Sequence, residues 1–339
     1  MCWTENERLS LRGCYDPAPH PILAQLAETP ALQRLALVGM NCGCEYTAFP
    51  RFSRGRAYSR YVHSLGVGAI VWHFTRDAKQ AAAGLLHDIA TPAFAHVVDF
   101  LNGDHLTQSS TEDGTRERIA QSPEIQSVLA AWGLCTDDVA DYHRYPIADN
   151  DSPRLSADRL EYTLGNALNY GFAELATLRA LYEDLAVGQN EEGRPELVFR
   201  TPACAADFGR LALRCAKVYV SPEDRCAMQA LAELLARAID QGILSRADLD
   251  TTEPQIISAL QRSALSGPWA EFCRLGRVET APAPPDERPW RQIRAKKRYI
   301  DPLTPSAGRL SRWDPAFARD LSAYLAASQS EYVLAEPSD

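Results

Sequence analysis

The sequence predicts a mostly α-helical fold, on three observations. Apolar residues recur at three- and four-residue spacings, as in Val62, Leu65, Ile70 and Phe74, which puts them on one helical face. The stretch from Ala78 to Ile89 is rich in alanine and leucine, the composition of a helix buried on most sides. Ser221-Pro222-Glu223-Asp224 offers a capping serine, a proline at the first helical position and an acid three residues after the cap.

Taken in order, residues 1–22 read as an irregular arm, broken by Gly13, Pro17, Pro19 and Pro21. Two short helices follow between Leu23 and Met40, parted at Thr29-Pro30, and residues 41–59 read as loop. A firm helix opens near Tyr61, and the alanine-rich helix runs to Ile89. Pro92 interrupts before a resumption from Phe94 to Leu101. Thr111-Glu112-Asp113-Gly114 offers the cap and acidic first turn of a further helix. Residues 123–146 give one or two helices, Asp149 to Pro153 a turn, and Leu155 to Tyr170 a helix stopped by Gly171. Glu191 to Arg200 is the best hairpin candidate. Long helices follow over about 203–220 and from Ser221, the latter with Met228, Leu231, Leu234, Leu235 and Ile239 on one face. Prolines 282, 284 and 285 mark a composition break near 281, after which Arg291, Arg294, Lys296, Lys297 and Arg298 form a basic run. The expected organisation is therefore an arm (1–22), a main helical domain (23–280) and a C-terminal appendage (281–339).

Composition narrows the function. A chain of 339 residues with 46% hydrophobic and 23% charged residues is an ordinary globular sequence. Its net charge of −9 argues against extended nucleic-acid binding. No run of about 18 apolar residues suggests a membrane span. Nine scattered cysteines without a C-x-x-C pair fit reduced thiols and a cytoplasmic location.

The chemistry concentrates in two stretches and a later carboxylate. His63 follows Arg60 by three residues, so imidazole and guanidinium share a helical face. Alone, such a histidine is most simply a core residue. His87-Asp88 ends the apolar Ala-Ala-Ala-Gly-Leu-Leu run, where an ionised aspartate is costly unless it is paired or metal-bound. Asp158 precedes Tyr162 by four residues and adjoins Arg159. Two histidines and two carboxylates suit a divalent cation with positions open to water or phosphate oxygen.

Embedded as Arg-x-x-His-Ser-Leu-Gly-Val, Gly-Leu-Leu-His-Asp-Ile and Asp-Arg-Leu-Glu-Tyr, this H…HD…D pattern resembles the HD-domain phosphohydrolase superfamily. Within it, the chain looks most like the deoxynucleoside triphosphate triphosphohydrolases. Further matches run from Thr29 to Leu35, Phe94 to Asp99 and Lys297 to Pro302, so the likeness spans roughly residues 25–305. It implies an HD-domain helical bundle in which His63, His87, Asp88 and Asp158 ligate a divalent metal, with Fe, Mn, Zn, Mg and Ni all open. It implies substrate contacts from Arg60, Thr91, Arg159, Tyr162 and Tyr219, and catalytic roles for His96, Asp99 and Glu112. A homo-oligomer is compatible with the resemblance, and a nucleotide is the implied substrate.

Two residues depart from the family pattern. Thr91 stands where a histidine is usual, and Thr111, before Glu112, where a second is usual. Both changes remove a group titrating near neutrality. His96 and Asp99, at i and i+3, can still form a carboxylate-oriented imidazole, and Glu112 can position water. His105 or His143 can supply a second metal. The expected reaction is water attack on the α-phosphorus of a deoxynucleoside triphosphate. Stepwise phosphate release, dinuclear oxygenase chemistry and nucleotide sensing without turnover are the alternatives.

Overall fold

A computed structural model describes residues 11–338 apart from 12, 17, 54–57, 104 and 107–113. The described residues are mostly helical, with three two-stranded sheets.

Two helices form the heart of the molecule. Arg60–Thr75 opens where the Ser59 hydroxyl accepts the Val62 N–H, and it closes at Arg76 with φ 52°. Ala78–Leu86 opens on Asp77, whose carboxylate accepts the N–H groups of Lys79 and Gln80. The expected helix to Ile89 stops at Leu86, so His87 and Asp88 stand just past its last turn. Against these packs Ala157–Asn169, capped by Ser156 and ended by Tyr170 and Gly171 (φ 67°). The crossing is close because Gly66 has no side chain: a Cβ there would lie 2.5 Å from Glu161 Cγ. Val67, Ile70, Leu85, Leu86, Leu160 and Leu164 are fully or almost fully buried around this junction; each contributes about 1.5–3 kcal/mol.

Several expectations shift in detail. After Pro92 the chain makes a turn with Phe94 and Ala95 at positive φ (63° and 45°) and resumes as helix only over Val97–Asn102. The cap expected at Thr111 lies outside the described residues; the helix there runs Thr115–Gln121. The hairpin consists of β1 (Leu185–Gln189) and β2 (Pro195–Phe199), paired antiparallel. Residues 191–194, expected to open the hairpin, form its turn instead, where Asn190 accepts the backbone N–H groups of Glu192 and Arg194. Pro202–Val218 and Pro222–Asp240 match the two long helices.

The last segment folds back on the rest. Strand β3 (Leu275–Ala281) pairs antiparallel with the last strand of the chain (Tyr332–Pro337), so the proline cluster lies between two strands of one sheet. Arg225, buried in helix Pro222–Asp240, donates to the Ile293 carbonyl and to Glu331. The residues that follow Arg291 have no regular secondary structure, and Ala295 to Tyr299 line the central cavity.

Two buried carboxyls tie loops that border this cavity. Glu253 accepts the N–H groups of Gly39 (2.9 Å) and Phe94 (3.3 Å) and the Tyr46 hydroxyl (2.8 Å). Burial and the neighbouring Glu253 push the Glu45 carboxyl up to about 8, from an ordinary value of 4.5. Its folded-state value is the higher one, so its stabilising contribution is complete below about 4.5 and is lost as pH rises toward 8. Glu45→Gln, which needs no proton, is expected to flatten the fall in Tm between about pH 5 and pH 8. The gain at the upper end is on the order of 2 kcal/mol. Parallel melting curves for variant and wild type would contradict this.

Candidate metal centre and substrate cavity

Four ligand atoms converge where the three central helices meet. His63 Nε2 lies 3.2 Å from His87 Nε2, 3.1 Å from Asp158 Oδ1 and 3.8 Å from Asp88 Oδ2. His87 Nε2 is 3.6 Å from each of the same two carboxylate oxygens. His63, His87 and Asp88 form a tight group, with ligand atoms all within 4.8 Å of one another; Asp158 closes on both imidazoles from the next helix.

The hydrogen bonds behind the ligands show what this cluster is built to hold. His63 Nδ1 faces Glu161 Oε2 at 2.6 Å, and His87 Nδ1 faces the Gly84 carbonyl at 2.7 Å. Both partners are acceptors, which places a proton on each Nδ1 and turns each Nε2 toward the cluster. Two imidazole Nε2 atoms and two carboxylates then point at one another, an arrangement that a cation between them makes favourable. The local field agrees. Burial alone would push the His63 imidazole down, but hydrogen bonds to Asp158 and Glu161 outweigh it and raise the group to about 10. Asp158, against the cost of burial, is brought down to about 2 by His63. Asp88, also against burial, is held well below the usual carboxylate range by Arg60 and the two histidines. A site that holds positive charge this firmly fits a divalent metal.

Each oxygen of Asp88 is anchored. Arg60 Nη1 donates to Oδ2 at 2.9 Å, and the Thr91 hydroxyl donates to Oδ1 at 2.8 Å. Thr91, expected at the substrate, is 1% exposed and absent from the cavity wall; its hydroxyl orients Asp88 instead. Its carbonyl in turn accepts from Arg34 (2.7 Å), which keeps the His87–Thr91 turn in place.

A cavity of about 430 Å³ opens from the cluster, within the size range of small-molecule sites. Arg60, Arg159, Tyr162 and Tyr219 line it, as does His96. Arg159 is already engaged, with Nη1 2.8 Å from Asn150 Oδ1 and 3.3 Å from Asp149. Tyr162 and Tyr219 form an edge-to-face pair with centroids 6.1 Å apart. His96 donates from Nδ1 to the fully buried Asp99 (2.8 Å) and accepts from Arg298 at Nε2 (3.4 Å). Burial, with Arg298 and Arg60 nearby, keeps this imidazole well below its ordinary value, so it is neutral near pH 7. Asp99 lies behind it and serves to orient the ring. Glu112 and Thr111 lie outside the described residues. Of the two histidines considered for a second metal, His143 lines the cavity and bonds Asp149 (2.9 Å), while His105 stacks on Phe100 (4.6 Å).

Two contributions escaped sequence reasoning. Glu161 is 1% exposed and also accepts from Tyr58; its signal was its place three residues after Asp158, on the same helical face. Lys296 and Arg298, from the basic run, line the cavity, but nothing in their local pattern says which residues the run crosses.

No family model matches the chain. An uncharacterised protein of Bacillus subtilis, YdhJ, is 25% identical over 245 residues, covering 71% of each chain. The metal-dependent phosphohydrolase cns2 of Cordyceps militaris is 26% identical over 155 residues, 44% of this chain and 42% of its own. The deoxynucleoside triphosphate triphosphohydrolase SAMHD1 of Gallus gallus is 27% identical over 143 residues, 35% of this chain but 22% of its own. A solved phosphohydrolase from Bacteroides thetaiotaomicron superposes with a TM-score of 0.61 at 16% identity, covering 95% of this chain and 99% of that one; this establishes likeness of fold. No described helix is long and apolar enough to cross a membrane.

Proposed function

Taking the chain as a member of the HD-domain phosphohydrolase superfamily, we propose that it hydrolyses nucleotides at a divalent metal held by His63, His87, Asp88 and Asp158. The observation that carries this reading is the pair of imidazole Nε2 atoms 3.2 Å apart, with a carboxylate oxygen of Asp88 and one of Asp158 beside them. Deoxynucleoside triphosphates, cleaved to nucleoside and tripolyphosphate, are the candidates that the SAMHD1 likeness puts first.

The chain's own groups divide the work. Once bound, the metal supplies Lewis acidity and lowers the pKa of a water molecule toward about 7. Arg60 fixes Asp88 and presents its charge to the cavity. Lys296 and Arg298 bring positive charge from the C-terminal segment, which favours a phosphate anion and stabilises charge developing on its oxygens. Neutral His96, held by Asp99, can take a proton at Nε2 once Arg298 shifts to the substrate. Tyr162 and Tyr219 offer apolar faces to the organic part of the ligand.

Stepwise release of orthophosphate is a second reading, favoured by Thr91. Its hydroxyl is committed to Asp88, so it places no titrating group at the phosphate. Incubating the protein with Mn²⁺, Mg²⁺ or Fe²⁺ and a nucleotide panel, and resolving the phosphorus products, separates the two. Tripolyphosphate is expected; orthophosphate alone would replace the first reading with the second.

A further inference from the structure

Besides His63 and His87, two imidazoles line the cavity, His96 and His143. Each has a carboxylate at Nδ1: Asp99 lies 2.8 Å from His96 and Asp149 2.9 Å from His143. At His96 the Arg298 guanidinium faces Nε2, and the ring is neutral. The carboxylate behind His143 is instead shared with an arginine of the cavity wall. Asp149 is 7% exposed, and its Oδ1 accepts from the Ser156 hydroxyl (3.2 Å) and lies 3.3 Å from Arg159 Nη1. Ser156 caps the helix that carries Asp158 and Arg159, so Asp149 is fixed beside a proposed metal ligand. A single ring, Tyr142, stands between His143 and His87, with centroids 4.3 and 5.1 Å away on its two sides. The charged groups of the small chamber behind His143, Asp151 and Arg194, face each other at 3.9 Å.

Arg159 is held by one atom. Its Nη1 donates to Asn150 Oδ1 (2.8 Å) and faces Asp149, and among the described residues no hydrogen bond engages Nε or Nη2. Those two nitrogens form the edge that suits a phosphate. With a phosphate there, one guanidinium stands between two anions. Asp149 is buried, and a buried carboxylate that must share its countercharge is costly. His143, already bonded to it, can restore the balance by taking a proton. Because Nδ1 faces Asp149, that proton goes to Nε2.

We propose that phosphate bound at Arg159 loads a proton onto His143, and that His143 then donates this proton to the leaving oxygen. The use of the proton rests on the phosphohydrolase reading; the loading does not. The donor is needed because neutral His96 can only accept and Thr91 brings no titrating group to the cavity. The step balances. Solvent supplies the Nε2 proton of His143 as the phosphate binds. The attacking water forms a bond to phosphorus and gives a proton to His96. The bond from phosphorus to the leaving oxygen breaks, its electron pair stays on that oxygen, and the oxygen takes the His143 proton. Product release returns the whole charge of Arg159 to Asp149 and leaves His143 neutral.

The test titrates inorganic tripolyphosphate, which carries phosphates without sugar or base, into the metal-loaded full-length protein near neutral pH. Calorimetry in buffers of different ionisation enthalpy counts the protons exchanged. The difference between wild type and His143→Gln cancels the protons of the ligand and is expected to be about half a proton or more taken up by wild type. Asp149→Asn, which keeps an acceptor but removes the charge, should lose the same uptake. The His143 side chain is 51% exposed, so His143→Gln should leave Tm level. With dATP, its kcat should fall about a hundredfold or more while KM stays within about threefold, and the alkaline fall of kcat should flatten. Equal proton counts, failure of tripolyphosphate to bind or an unchanged kcat each overturn the inference. Uptake that depends on His143 in a protein hydrolysing no nucleotide removes the phosphohydrolase reading and leaves the proton loading standing. Nucleotide hydrolysis with equal proton counts does the reverse.

Discussion

Asp88→Ala is expected to strip the protein of its metal and to lower turnover by at least about a thousandfold, the equivalent of about 4 kcal/mol of lost transition-state stabilisation. The size follows from the company Asp88 keeps. One oxygen faces both imidazoles and the other is held by Thr91, while Arg60 braces the ligand oxygen at 2.9 Å. Removing the carboxylate deletes a ligand, two charge-assisted contacts and the countercharge of a buried guanidinium. The last loss matters to interpretation, because an arginine left buried without its partner costs about 3–5 kcal/mol of stability. Asp88→Asn separates the effects: it preserves the volume and the Thr91 bond but removes the negative charge. Metal content by elemental analysis, turnover and thermal melting should be measured on both variants. A folded Asp88→Asn protein that loses metal and activity together supports the centre; unchanged turnover in Asp88→Ala would refute it.

Much of this centre was legible in the sequence because its chemistry is local. His63 sits three residues from Arg60 on one helical face, and His87-Asp88 follows an apolar helix that gives an unpaired aspartate no other purpose. Helix periodicity likewise located Arg60–Thr75, Ala157–Asn169 and Pro222–Asp240 to within about two residues. What escaped depends on contacts between distant segments. Thr91 has the right chemistry for a phosphate contact, but the tight turn after Leu86 aims its hydroxyl at Asp88. The hairpin was displaced because the turn residues 191–194 precede an alternating run that pairs backward with Leu185–Gln189. Lys296 and Arg298 belong to a basic stretch that by composition suits solvent; only the pairing of β3 with the last strand and the anchoring of Ile293 by Arg225 bring it to the cavity. The prolines behind the expected boundary near 281 open the long segment that leads from one strand of a sheet to its partner.

Glu161 offers the most discriminating check on the metal centre, because it touches no metal and is expected to act wholly through His63. Its carboxylate accepts from Nδ1 at 2.6 Å, which points Nε2 into the cluster. Gly66 leaves the room that this contact needs. Glu161→Ala is expected to weaken metal affinity about 10–100-fold, the usual cost of losing the partner behind an imidazole ligand. It also leaves the Tyr58 hydroxyl without its buried acceptor, at on the order of 2 kcal/mol of stability. Glu161→Gln retains an acceptor for Nδ1 but removes the charge that strengthens the imidazole as a ligand, so its loss of affinity should fall near the lower end of that range. The order wild type, Gln, Ala in a chelator-competition titration is the expected result. A purely structural role predicts something different: melting temperatures that fall while metal affinity stays level across the three proteins. Only if affinity follows the charge and the acceptor separately does Glu161 belong to the metal centre, and the orientation of His63 is then a product of the carboxylate one helical turn beyond Asp158.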